Sequence, residues 1–161
     1  MNESKAQSTP KRIASFSVDH DYITPGVYLS RIDGDVLTLD LRTRRPNAGE
    51  YMDNVTMHTV EHLFATYVRS SEIGDRVLYF GPMGCRTGFY LLVRDVELAT
   101  VYRVIRETLQ RITKHTGEVF GASRKECGNY LELQLEAGVR ECKAYLAVLP
   151  ESKTDFSYPT A

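Results

Sequence analysis

Two imidazoles and a carboxylate fall close together in His58-Thr-Val-Glu61-His62, and imidazole is the commonest protein ligand for a metal ion. The surrounding segment, Val55 to Arg69, contains no glycine or proline, and Asp53 or Asn54 stands before it as an N-cap; the pattern predicts a helix. On a helix, positions i and i+4 lie one above the other, so His58 and His62 can bite a single ion. Glu61 projects to the same side. It is too close in sequence to serve easily as a third ligand, but it can exchange protons with whatever the metal holds.

A catalytic metal site of this kind takes three protein ligands and keeps one position for solvent or substrate. The third ligand must come from elsewhere. Cys127, in Lys125-Glu126-Cys127-Gly128-Asn129, is the candidate, because it lies outside any apolar stripe and the following glycine permits an unusual turn. Cys142 falls on an apolar helical stripe and is expected to be packing. Cys85 sits between Gly81-Pro-Met-Gly84 and Arg86-Thr-Gly88. Backbone N–H groups and the adjacent Arg86 would both favour its thiolate, which can act as nucleophile, base or ligand.

The elements that must position these groups are readable from periodicity. Val27 to Arg31 and Val36 to Leu41 flank Asp33-Gly34-Asp35, a hairpin signal; Leu37, Leu39 and Leu41 alternate with Thr38 and Asp40, which predicts one buried face. Arg76 to Phe80 and Phe89 to Val93 are two further strands. Asp95 is expected to cap a second helix running to about His115, with Leu98, Val101, Ile105, Leu109 and Ile112 at helical spacing and Gly117 beyond its end. Val139, Cys142, Tyr145, Leu146 and Leu149 form a last helical stripe stopped by Pro150. Tyr130 to Leu135 reads as strand or loop. Strand pairs interrupted by isolated helices predict an α+β fold, an antiparallel sheet packed by helices on one face. Residues 1–12 are expected to be a mobile tail and 13–161 a single domain, with no repeat or linker to divide it.

Composition bounds the function classes. A chain of 161 residues, 42% hydrophobic and 25% charged, with a formal net charge of −1, suits one globular domain and not a general nucleic-acid binder. No apolar run reaches the roughly 20 residues of a membrane span, and the polar opening segment lacks the hydrophobic core of a signal peptide. A cytoplasmic location is therefore expected, and with it three reduced cysteines.

Four blocks in order, SFSVDH (15–20), DLRTRRPN (40–47), MHTVEHLFATYVRS (57–70) and GPMGCRTGFYL (81–91), followed by ECGN (126–129), resemble the S-ribosylhomocysteine lyase (LuxS) family from about Ser15 to Leu149. The resemblance implies a divalent metal, most often Fe²⁺ and alternatively Zn²⁺ or Co²⁺, on His58, His62 and Cys127 with solvent in the fourth position. It implies that Glu61 and Cys85 are the acid/base pair and that Ser15, His20 and Arg42 contact substrate. It further implies a homodimer with active sites at the interface, each built from both subunits. The expected reaction is metal-assisted aldose–ketose isomerisation of S-ribosyl-L-homocysteine followed by β-elimination of the thioether, giving L-homocysteine and 4,5-dihydroxy-2,3-pentanedione, the autoinducer-2 precursor. The chain departs from the family pattern at Tyr79 (often aspartate), Gly81 (often serine) and Leu133-Gln134 (often His-Asp).

Two other readings fit parts of the pattern. An H-x-x-E-H metallopeptidase would use Glu61 to activate water and would take a distant carboxylate as third ligand. A non-catalytic metal-binding module would close the site with a fourth protein ligand, for which Cys85 is available.

Overall fold

The computed structural model describes residues 9–161; residues 1–8 of the expected tail lie outside the described residues. Four strands, β1 (Gly26–Asp33), β2 (Val36–Arg42), β3 (Val77–Pro82) and β4 (Gly88–Arg94), form one antiparallel sheet in the order β1-β2-β4-β3. Three helices, α1 (Asn54–Arg69), α2 (Leu98–Thr113) and α3 (Leu135–Val148), complete the fold. The expected α+β architecture is the one observed. Gly34, at φ +62°, makes the β1–β2 turn, a conformation that costs glycine nothing. Pro82 ends β3, an edge strand where a missing N–H breaks no ladder.

The helices cover one face of the sheet. Val27, Leu39, Leu41, Phe80, Phe89, Leu91 and Val93 are buried there with Val60, Leu63, Phe64 and Val68 of α1 and Val101, Ile105, Leu109 and Ile112 of α2. Phe64 stacks on Phe80 at 4.3 Å between ring centroids, and Phe80 on Phe89 at 5.1 Å. These rings tie α1 to the sheet, and burial of each large apolar side chain stabilises by about 1.5–3 kcal/mol. Helices α1 and α3 cross closely at Gly138, where an added Cβ would stand 2.6 Å from Thr59 Cγ2.

One expectation needs correction. Asp95 does not cap α2: it has φ +49° and its N–H donates to the Asp35 carbonyl at 2.8 Å. The helix begins at Leu98 behind Glu97, without a side-chain cap. The expected buried face of β2 is observed at Leu39 and Leu41, and Asp40 and Arg42 on the opposite face are inaccessible as well. They are covered by side chains from β4 and by the segment after α3, which no periodicity marks. The Tyr130–Leu135 stretch, which reads as strand or loop, is loop up to the start of α3 at Leu135.

That closing segment runs along β1. Its Phe156 carbonyl accepts from Leu29 N–H at 2.8 Å, covering part of an otherwise open sheet edge. Tyr102 and Arg106 of α2 donate to the Pro150 and Leu149 carbonyls at 2.6 and 2.7 Å. Among the described residues, no helix is long and apolar enough to cross a membrane.

Candidate active site

The first cluster grows from the N-terminus of α1. Asp53 accepts from Thr56 N–H at 2.7 Å, fixing the first turn. His58 and His62 follow one turn apart, their rings edge to face at 4.6 Å. Cys127, from the loop between α2 and α3, reaches His58: its Sγ lies 3.4 Å from His58 Nε2. Ligand atoms of His58, His62 and Cys127 all lie within 4.8 Å of one another, and among the described residues this is the one such group of three or more His, Cys, Asp and Glu side chains.

The imidazoles are oriented by backbone carbonyls. His58 Nδ1–H donates to Glu132 O at 3.2 Å and His62 Nδ1–H to Phe120 O at 2.7 Å. A carbonyl can only accept, so each Nδ1 is the donor and each Nε2 is the nitrogen available to a metal. Asn129 N–H donates to Cys127 Sγ at 3.4 Å, which holds the sulfur in place. Two neutral imidazole nitrogens and a thiolate are the donor set of Fe²⁺, Zn²⁺ or Co²⁺ and suit Mg²⁺ or Ca²⁺ poorly; the residues fit a divalent transition metal. Glu61 is half-buried on the same helix and is not a member of the triad.

The Phe120 carbonyl is itself held in place. His115 meets the Tyr67 hydroxyl at 2.7 Å through Nδ1 and donates from Nε2 to Glu118 O at 2.8 Å. This braces the turn that ends at Gly121, where φ is +69° and an added Cβ would stand 3.2 Å from His62 Nδ1.

The second cluster lies on the sheet face away from the helices. Arg42 and Cys85 line a cleft of about 360 Å³ with Ser15, His20, Met83 and Tyr90. Arg42 is paired with Asp40 through Nη2–Oδ2 at 2.6 Å and Nε–Oδ1 at 3.1 Å. Its Nη1 donates to Thr87 Oγ1 at 2.7 Å and points at Cys85 Sγ at 3.8 Å. Because Thr87 accepts from Arg42, its own hydroxyl hydrogen is free to turn toward Cys85 Sγ, 3.1 Å away. The cation beside Cys85 is thus Arg42 and not the adjacent Arg86, whose guanidinium lies over the Tyr51 ring. Burial, offset by the Asp40 charge, leaves the Arg42 guanidinium more firmly protonated than usual. Tyr90 stays a neutral phenol, its pKa raised by burial and then by Asp40. His20 Nδ1–H donates to the Val18 carbonyl at 2.9 Å, leaving Nε2 for a ligand.

Sequence reasoning thus named residues that sort into two groups: His58, His62 and Cys127 with the Glu61 helix, and Ser15, His20, Arg42 and Cys85. Asp40, Thr87, Tyr90, Phe120 and Glu132 were missed. Asp40 lies only two positions from Arg42 on the same strand face, a signal that a motif-based search could have used; the two carbonyls carry no side-chain signal at all. Cys142 is the buried packing residue expected, with burial pushing its thiol pKa far up.

The departures at positions 79 and 81 are one physical event. The Tyr79 ring lies over Gly81, where an added Cβ would stand 2.0 Å from the Tyr79 hydroxyl oxygen. Gln134 ends the loop that carries Glu132, and its N–H donates to Thr59 Oγ1 at 2.9 Å; Leu133 packs against the core. Apolar packing and a backbone hydrogen bond hold that loop against α1.

Comparison with known proteins places these two clusters in a context. The family model for S-ribosylhomocysteinase (LuxS) matches residues 13–155. The chain is 39% identical over 156 residues to an S-ribosylhomocysteine lyase of Borreliella burgdorferi strain ZS7, covering 92% of this chain and 99% of that one. It is 41% identical over 156 residues to the lyase of Clostridium acetobutylicum, with the same coverage, and 40% identical over 158 residues to that of Phocaeicola vulgatus, covering 93% and 98%. A match of this length, spanning both the histidine helix and the Cys85 turn, shows that the chain belongs to the S-ribosylhomocysteinase (LuxS) family.

Proposed function

We propose that the protein is an S-ribosylhomocysteine lyase that works as a homodimer. In this reading His58, His62 and Cys127 of one subunit hold the metal, and Arg42 and Cys85 of the other face it. One observation carries the reading. The triad stands in the helix layer, while the Arg42–Cys85 cleft opens on the sheet face opposite the helices, so the two halves of the chemistry are directed apart in one chain. That sheet face also exposes Tyr79, with Ile13 beside it, and Phe16 at the Arg42–Cys85 cleft, apolar surface for a second copy to cover. A closed cycle in which each subunit lends half a site to the other is the natural result of two-fold symmetry.

The thioether sulfur of S-ribosylhomocysteine leaves poorly from an unactivated carbon. Moving the sugar carbonyl to C3 makes the C4 proton acidic and puts the sulfur β to the carbonyl, so elimination becomes feasible. A bound divalent ion supplies Lewis-acid stabilisation for negative charge developing on the sugar oxygens. Protons must leave one carbon and return to the next. Cys85, with its thiolate opposite Arg42 and the Thr87 hydroxyl, is the base; the Glu61 carboxyl is its acid partner and protonates around the departing sulfur. Ser15, His20 and Arg42 orient the substrate in the cleft, and Met83 and Tyr90 exclude water from it. Fe²⁺ is the proposed ion, with Zn²⁺ or Co²⁺ as functional substitutes. The three free thiols fit a reducing, cytoplasmic setting.

The donor set speaks against the peptidase reading, because the third ligand-bearing group is a thiol and not a distant carboxylate. The closed-module reading needs Cys85 as fourth ligand, yet Cys85 stands against Arg42 and Thr87.

The test is complementation. Metal-loaded wild type incubated with S-ribosylhomocysteine and a thiol reagent should release homocysteine, and Cys85→Ala and His58→Ala should each release almost none. Dissociating and reassociating an equal mixture of the two inactive variants should restore about a quarter of wild-type activity, since half the dimers are mixed and each carries one intact site. A mixture that stays inactive rules out the shared site, and a silent wild type rules out the lyase.

A further inference from the structure

We infer that Tyr158, in the segment that follows the last helix, is a positioning residue for Cys85, acting through Asp40 and Arg42. The inference rests on the reading of Cys85 as the proton-transfer thiol. Tyr158 lies beyond the span matched by the family model, so nothing in the motif pattern points to it.

The geometry is a continuous chain of hydrogen bonds. Tyr158 Oη–H donates to Asp40 Oδ2 at 2.8 Å, the same oxygen that accepts from Arg42 Nη2 at 2.6 Å. Arg42 Nη1 then spans Thr87 Oγ1 and Cys85 Sγ. Asp40 and Arg42 are both closed off from solvent, so the three donors to Asp40 (two from Arg42, one from Tyr158) set how its charge is shared. The tyrosine is held for this task. Its ring stacks on Tyr28 at 5.0 Å between centroids, and the Phe156 carbonyl two residues earlier is tied to Leu29 N–H. Burial and the Asp40 charge raise the phenol far above its ordinary range, so it stays a donor at every working pH.

Removing the phenol hydroxyl leaves Asp40 with Arg42 alone. The carboxylate's full charge then falls on the guanidinium, and less positive potential is left for the thiolate. Every group facing the Cys85 side of the cleft enters the same balance: Arg42 from β2, Thr87 and Tyr90 from the β3–β4 turn and β4, and Ser15 and His20 from the segment before β1. Tyr158→Phe changes none of these directly. It retains the ring that stacks on Tyr28.

The experiment follows iodoacetamide modification of Cys85 against pH in metal-loaded wild type and Tyr158→Phe, resolved by mass spectrometry of the Cys85 peptide. Tyr158→Phe should move the midpoint to higher pH, with modification about threefold slower at pH 7 and the high-pH limiting rate unchanged. The lyase profile should move its acid limb in the same direction, with the loss in kcat and not in KM. A chain ended after Ser157 keeps Phe156 in place and should show the same shift if Tyr158→Phe folds poorly. An unmoved midpoint overturns the inference, even if the melting temperature falls, because a purely structural role changes stability without changing thiol acidity. The alkylation readout does not depend on lyase turnover, so a failure of the lyase reading would show separately, as absent homocysteine release.

Discussion

The two clusters are held by opposite means. The triad stands on a capped helix and is aimed by backbone carbonyls: Glu132 O and Phe120 O fix the imidazoles, and Asn129 N–H faces the Cys127 sulfur. The cleft stands on strands and is aimed by side chains: Asp40, Thr87 and Tyr158 surround the guanidinium that faces Cys85. Backbone groups tolerate substitution of the residue that carries them, since every residue type offers the same carbonyl. A side-chain network does not, because each member has one role and no substitute. The cleft should therefore be the more sensitive half to mutation of surrounding residues, and the triad the more sensitive to changes in backbone conformation.

The largest expected effects fall on the reacting groups. Cys85→Ala and Glu61→Gln should each lower homocysteine release by about 10²–10⁴ while leaving metal content, measured by elemental analysis, at the wild-type level. Chelating the metal should abolish release equally and, in the shared site, move Cys85 alkylation to higher pH, because the partner's cation no longer favours the thiolate. An unmoved profile would count against Cys85 facing the partner's metal.

Next is the ion pair beneath the cleft. Arg42→Ala strands the Asp40 carboxylate in the interior, and losing one partner of a buried pair costs about 3–5 kcal/mol, to be read by urea unfolding. Asp40→Asn with Arg42 intact tests the reverse loss. Stability unchanged in both variants would mean that solvent reaches the pair and that the side-chain half is less demanding than supposed.

Gly121→Ala tests the backbone half. A side chain at φ +69° meets His62 Nδ1 at 3.2 Å, so the variant should bind metal about 10–100-fold more weakly in chelator competition, with the cleft's alkylation profile intact. Phe120→Leu keeps the carbonyl and should bind metal as wild type does, which sharpens the contrast between the two designs.

The smallest effect is at the helix cap. Asp53→Ala should cost about 1 kcal/mol. The Thr56 hydroxyl and N–H bonds hold the Asp53 carboxyl below its ordinary pKa of 3.8. Its contribution is thus present above that value and is lost as pH falls through the lower folded one. The difference between wild type and Asp53→Ala should vanish in acid and persist at neutral pH.

This contrast also governs what the amino-acid pattern could reveal. Helix α1 was readable because it lacks helix breakers, begins at an acidic cap and repeats its apolar residues, and the i, i+4 histidines follow from helical geometry alone. The Asp33-Gly34-Asp35 hairpin and the α2 stripe were legible for similar local reasons. Cys127 emerged from its surroundings and from the family resemblance, but the carbonyls that orient the imidazoles could not, because they belong to Phe120 and Glu132 in a loop without periodicity. The neighbours of Arg42 were hidden for a different reason. Strand register brings Arg42 opposite Gly88, and so beside Thr87 and Cys85, across more than forty residues of sequence. Tyr158 is further still, 118 residues from the Asp40 it contacts. Asp95 misled because aspartate is a frequent cap, whereas here it serves a tight turn at positive φ.

The Tyr79 ring resting over Gly81 limits what position 81 can carry while the ring stays where it is. A serine at position 81 with tyrosine already at 79 would press its Cβ into the phenol oxygen, so the ring would have to swing out over solvent. Glycine at 81 accepts either neighbour. Because Tyr79 is half exposed, Gly81→Ser should be tolerated with the ring turned outward, at little cost in stability.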